Sequence, residues 1–154
     1  MSAVGAILER EIELVSRFVS ILNDEQECLT QGNADGLPEI SAAKSALVEQ
    51  LNALEGQRME AIDLPGQASD LPSMEKWLKD NANDISAASA WQKLRELARE
   101  AKTLHELNGQ LVATHLKNAA EALAILTQKA SQSALYGASG QTTTATGSRI
   151  VDSA

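Results

Sequence analysis

The fold is decided by one stretch, residues 84–131, which has the sequence DISAASAWQKLRELAREAKTLHELNGQLVATHLKNAAEALAILTQKAS. The stretch contains no proline, and its apolar residues recur every three or four positions, which is typical of one face of an α-helix. At 1.5 Å per residue, a helix of this length would extend for roughly 70 Å. We therefore expect one long helix to set the architecture of the chain.

Two apolar rows follow one another along this predicted helix. The first row contains Trp91, Leu94, Leu97, Ala101, Leu104, Leu107 and Leu111. The second row contains Val112, Leu116, Ala119, Leu123, Leu126 and Ala130. Because one residue corresponds to about 100° of rotation, the second row is expected to point to a different side of the helix. A kink or a close helix approach at Asn108-Gly109 would explain the change, and so would the drift of a 3.6-residue helix against a 3.5-residue pattern.

The preceding sequence predicts two more long helices and a short one. The first runs from about Ser2 to Gln31, and the second from near Asp35, a candidate cap, to about Ile62. The short connection between them predicts antiparallel neighbours. Residues 63–73 hold two prolines and a glycine and predict a loop, with Ser73 as the expected cap of a brief helix. The expected core positions are Leu8, Val15, Leu22, Leu47, Leu51, Leu94, Leu97, Leu104 and Leu111.

These elements predict an all-α fold, an antiparallel helical bundle of three long helices plus a short helix, with a disordered C-terminal tail. We expect the bundle to cover residues 1–132, including a half-helix at about 112–130 that carries the second apolar row. Residues 133–154 form the predicted flexible tail, because residues 141–148 are almost entirely polar and have nothing to bury.

Composition limits the classes of function. The chain has 13 Lys and Arg against 21 Asp and Glu, a net charge of -8 that would repel nucleic acid and anionic membranes. The single cysteine, Cys28, forms no internal disulfide, and no apolar run approaches the roughly 20 residues that span a bilayer. Charged residues such as Glu9 and Arg10 are unlike a signal peptide. We expect a cytoplasmic protein without nucleic-acid partners or stable membrane insertion.

The sequence gives little support for catalysis, and we expect neither an enzyme nor a cofactor or metal. His105 and His115 are ten residues apart, about 280° around a helix, and so do not share a metal. The segment His115-Leu116-Lys117 resembles the phosphohistidine helix of histidine-phosphotransfer domains, although Lys117 comes one position early. A histidine-phosphotransfer module or a structural coiled-coil adaptor therefore remains the alternative function.

Several motifs together resemble the FlgN family of bacterial flagellar export chaperones. Members tend to carry Asn-Gly followed by Leu in the last long helix, as in Asn108-Gly109-Gln110-Leu111 here. They also tend to have Leu-Tyr-Gly-x-x-Gly-Gln soon afterwards, matched by residues 135–141. The early segment 24–37 and Lys44 in the second helix are similar too, whereas residues 62–86 match no family pattern.

This resemblance implies a cytoplasmic chaperone of type III flagellar export. Such a protein binds the terminal helices of hook-associated proteins, which form the hook-filament junction, prevents their premature assembly and delivers them to the export gate. An amphipathic half-helix is suited to lie against such a client helix. We therefore expect client binding by the second apolar row, Val112, Leu116, Ala119, Leu123, Leu126 and Ala130. The resemblance implies docking on the cytoplasmic domain of the export gate through Tyr136. In the absence of client, a homodimer or a mobile segment of the chain would cover the row.

Overall fold

A computed structural model describes residues 2–62 and 71–136, with side chains for 2–62 and 73–133. Helix α1 spans Ala3–Gln31, and its two ends follow from local sequence. Ser2 caps the start, because its Oγ accepts a hydrogen bond from the Gly5 amide at 3.0 Å. Gly32 ends the helix in the left-handed region at φ 70°, a conformation that glycine adopts without steric cost. The predicted first helix is confirmed.

Helix α2 spans Leu37–Ala61 and is preceded by a 3₁₀ turn, Ala34–Gly36. Pro38 lies in the first turn, where its missing N–H needs no partner. The prediction that Asp35 caps this helix is wrong, because the cap position is Gly36 and no side chain bonds there. Asn33 instead caps the 3₁₀ turn by accepting from the Asp35 amide at 3.2 Å.

Helices α3 and α4 span Leu71–Asp80 and Ile85–Tyr136. Ser73 is not a cap but a buried residue in the first turn of α3, which begins at Leu71, two residues before the predicted cap. Asp84 starts α4, since its Oδ1 accepts from the Ala87 amide at 3.0 Å. The helix runs to Tyr136, so its backbone includes residues 133–136, which we expected in the tail. Most of the predicted loop, residues 63–70, and tail residues 137–154 lie outside the described residues.

Helix α4 is unbroken at Asn108-Gly109. A Cβ built on Gly109 would meet no heavy atom within 4 Å, which excludes the close helix approach that the sequence suggested. The first apolar row advances by only about 3.3 residues per step and therefore drifts around a 3.6-residue helix. Accordingly Leu94 and Ala101 are buried, whereas Leu107 near the end of the row is 43% exposed. Drift of the row around the helix explains the change of register without a close helix approach.

The chain divides into two compact units, Met1–Leu111 and Val112–Ala154, which are described separately. In the first unit α1 and α2 are antiparallel. Glu11, early in α1, contacts Arg58, late in α2, and Glu25, late in α1, contacts Lys44, early in α2. One apolar core joins α1 to α3 and to the first part of α4. The all-α helical bundle is confirmed. Five of the predicted core residues are buried, namely Leu8, Val15, Leu22, Leu47 and Leu94. The other predicted core residues are half-buried, namely Leu51, Leu97, Leu104 and Leu111.

Candidate functional site

The candidate binding surface is the exposed apolar row of the second unit. Its members are the six residues predicted from the sequence, Val112, Leu116, Ala119, Leu123, Leu126 and Ala130. They follow one another at alternating intervals of four and three residues, so they share one face of α4. Leu116, Leu123 and Leu126 are 66%, 64% and 62% exposed. Large apolar side chains exposed in one contiguous row are typical of an interaction site.

Two other residues help to define this surface. Ile125 is also exposed, but it lies about 160° around the helix from Leu123, and so it stands apart from the row. Tyr136, the residue expected to dock on the export gate, belongs to the last turn of α4, and its side chain lies outside the described part. The structure therefore brings the six row residues together on one face and gives no side-chain contact for Tyr136.

A polar cluster in the first unit joins three helices and was not recognised from the sequence. Lys44 Nζ in α2 donates to both carboxylate oxygens of Glu25 in α1, at 3.1 and 3.0 Å. Asn108 Nδ2 in α4 donates to Glu25 Oε1 and to the Leu22 carbonyl, each at 2.9 Å. Asn108 is only 2% exposed, so these bonds satisfy an amide nitrogen that has no access to water. The cluster fixes the register of the three helices.

A second buried polar group lies nearer the start of α1. Arg58 Nε in α2 donates to Glu11 Oε2 at 2.9 Å, and both side chains are buried. The Arg58 guanidinium also lies 5.0 Å from the centre of the Trp91 ring in α4, within the range of a cation–π contact. Burial raises the pKa of the Glu11 carboxyl above its ordinary value, although the hydrogen bond and the charge of Arg58 oppose this. These residues hold α1, α2 and α4 together.

The first polar cluster left a partial signal in the sequence at two of its positions. Lys44 interrupts the apolar stripe of the second helix, and Asn108 stands in the buried stripe of the fourth. A charged or amide side chain at a buried position needs a partner, so each position predicts a polar contact. The partner is Glu25 in both cases, and it lies 19 residues from Lys44 and 83 from Asn108 along the chain.

The described side chains show no arrangement for metal chemistry. Among residues 2–62 and 73–133, no group of three or more His, Cys, Asp or Glu side chains is placed to hold a metal ion. Lys117 lies two residues after His115, about 160° away around the helix, and so is not beside it as a phosphate-binding lysine would be. None of the described helices is both long enough and apolar enough to cross a bilayer.

The fold defines a class, the all-α helical bundle proteins, and the exposed row is its candidate binding site. The profile of the family described as "FlgN protein" matches residues 1–144, so this chain belongs to the FlgN family. A "Flagella synthesis protein FlgN" from Yersinia enterocolitica serotype O:8 is 27% identical over 138 residues, covering 86% of this chain and 84% of the relative. The protein of the same name from Proteus mirabilis is 28% identical, covering 92% and 90%. No solved structure gives a significant match.

Proposed function

We propose that this protein is a cytoplasmic chaperone of type III flagellar export. It binds the terminal helices of hook-associated proteins on the row Val112–Ala130, keeps them from assembling early and delivers them to the export gate. Membership of the FlgN family, whose proteins are chaperones of flagellum synthesis rather than enzymes, supports this proposal.

The observation that carries the proposal is the exposed apolar row itself. Exposed leucines at alternating intervals of four and three residues form the seam of a coiled coil that has no partner within the described chain. A client helix with the same spacing would cover them and gain roughly 25 cal/mol for each Å² of apolar surface removed from water. The client's own seam would be covered at the same time, which prevents it from pairing with other subunits.

The test compares two aspartate substitutions two residues apart. Leu123 and Ile125 are 64% and 57% exposed, but only Leu123 lies in the row. Leu123→Asp should weaken binding of a purified hook-associated protein by at least tenfold in titration calorimetry, because it places a carboxylate in the apolar interface. Ile125→Asp should leave the affinity within about twofold, and both variants should remain folded by circular dichroism. Equal affinities for Leu123→Asp and the wild type would refute the row as the client site.

Delivery to the export gate has a separate test. Tyr136→Ala should leave client binding intact and should reduce binding of the client-loaded chaperone to the cytoplasmic domain of the gate. A tyrosine gives a large contact area for little loss of conformational entropy, which suits a docking residue. Unchanged gate affinity of the loaded variant would remove Tyr136 from this role.

The state of the free protein is the last part of the proposal. A homodimer that pairs the rows of two copies would keep them from water until a client arrives. Light scattering should then give a dimer mass for the wild type and a monomer mass for Leu123→Asp, whereas a monomeric wild type would exclude this pairing.

A further inference from the structure

The helix that carries the row has a wider uncharged surface than one partner helix needs. Residues 112–133 contain only three Asp, Glu, Lys or Arg residues, namely Lys117, Glu121 and Lys129. At 100° per residue, Lys117 and Lys129 border an arc of about 240° that contains none of these charged residues. Glu121 lies on the opposite side. One partner helix covers an apolar stripe of about 100°, so the arc has room for two.

The side chains within this arc are arranged by size. The large residues Val112, Leu116, Leu123 and Leu126 lie within about 60° of its centre line, and the flanks carry alanines together with His115, Ser131 and Ser133. Ala120 is on one flank and Ala122 on the other, about 160° apart, and both are exposed. Small side chains allow helix axes to approach closely, and apolar flanking positions broaden a two-helix seam into a surface for a bundle.

Charge indicates the chemistry of the partner. Residues 1–111 carry ten Lys and Arg against nineteen Asp and Glu, whereas residues 112–133 carry two Lys against one Glu. The charged residue at each border of the arc is a lysine, so a helix on either flank would meet a positive charge. Carboxylates on the partner would pair with these lysines, while lysines there would be repelled.

We infer that this face binds two amphipathic helices of one client at the same time, one on each flank. Each helix carries an Asp or Glu opposite its lysine, Lys117 on the flank of Ala120 and Lys129 on the flank of Ala122. This inference rests on the proposed function and specifies the client as an acidic pair of helices rather than a single helix.

Photo-crosslinking distinguishes two client helices from one. A photoreactive amino acid is placed at Ala120, at Ala122 or, as a control, at Glu121, and each variant is mixed with a purified hook-associated protein. Peptide mapping should find that Ala120 and Ala122 crosslink to two different helices of the same client molecule, while Glu121 gives little product. Crosslinks from both flanks to one helix, equal product from Glu121, or, with the client in excess, crosslinks only to a second copy of this chain would each overturn the inference.

Charge reversal tests the acidic character of the partner. Lys117→Glu and Lys129→Glu should each weaken client binding about three- to tenfold, more at low salt than at high salt, and their effects should add. Glu121→Lys should not weaken binding. An effect from only one lysine, or from neither, would contradict the two-helix arrangement while leaving the proposed function intact. If the crosslinks are absent and Leu123→Asp still binds the client, the proposed function itself fails at this site.

Discussion

Removing Arg58 should reveal how strongly the buried ion pair constrains the bundle. In Arg58→Met, the Glu11 carboxylate would remain buried without its 2.9 Å partner, and the contact over Trp91 would be lost. Breaking a buried pair by removing one member costs about 3–5 kcal/mol, because the remaining charge is desolvated without compensation. Against a total of about 5–15 kcal/mol for an ordinary domain, this is a large loss. We expect that decrease in the unfolding free energy at pH 7.

The same substitution should have a defined pH dependence. The pKa of Glu11 is already raised by burial, and removing Arg58 takes away the influence that lowers it. Between the ordinary value of 4.5 and the raised value, the folded state holds a proton that the unfolded state has released. The stability of the variant should therefore fall as pH rises through this window, more steeply than for the wild type. Below the window the neutral carboxyl carries no unpaired charge, and the two proteins should differ less.

Urea denaturation followed by circular dichroism and tryptophan fluorescence measures both effects, since Trp91 is one of only two tryptophans. The double variant Glu11→Leu/Arg58→Met removes both charges and should recover most of the lost stability. The control is Arg95→Ala, whose 3.9 Å contact with Glu75 is exposed to solvent and should contribute less than about 1 kcal/mol. A loss below about 1 kcal/mol for Arg58→Met at pH 7, or a loss independent of pH, would refute this reasoning.

Adjacent residues in α4 should respond in opposite directions: Gly109→Ala should raise the unfolding free energy by about 0.5–1 kcal/mol, because a Cβ meets open space there. Asn108→Ala should lower it by about 1–3 kcal/mol through the loss of two hydrogen bonds, one buried and one partly buried. Equal stability of the two variants in urea would contradict the predicted opposite directions. Hydrogen bonds from the Ser2 hydroxyl and the Ala87 amide lower the pKa of Asp84, so its stabilising contribution is present above pH 3.8 and is lost as pH falls through the lowered value. Ser2→Ala should move this pKa upwards in an NMR titration, and an unchanged value would show that the hydroxyl has no part in it.

Local sequence signals predicted the helices well, but they failed where the role of a residue depends on the surrounding tertiary structure. Ser2 and Gly32 end α1 through their own backbone neighbours, so their roles are visible in a short window of sequence. Ser73 has the residue type of a cap, but α3 begins before it and the side chain is buried in the first turn. A residue caps a helix only where the backbone changes from non-helical to helical at that position, and the residue type alone does not determine where this happens.

The candidate site was predictable because it depends on one helix alone. The row Val112–Ala130 follows from helical spacing, and the structure leaves all six side chains exposed. The polar clusters of the first unit were not predictable, because Glu25 looks like any of the charged residues on α1 until Lys44 and Asn108 are brought beside it. Glu11 is buried although it has the same residue type as its exposed neighbours Glu9 and Glu13. Burial of a charge depends on the partner, which only the fold supplies.

The exposure of α4 beyond Leu111 has a consequence for how this protein diverges. Side chains from Val112 to Ser133 are exposed and pack little against the other described residues, so we expect substitutions there to be nearly neutral for folding. Residues such as Leu22 and Asn108 have no such freedom, because any change there disturbs several neighbours at once. If residues 112–133 bind clients as proposed, selection can adjust affinity for new clients there without a second mutation to restore the fold. Amide hydrogen exchange should mark the same division, with slow exchange in the buried part of α4 and fast exchange after Leu111.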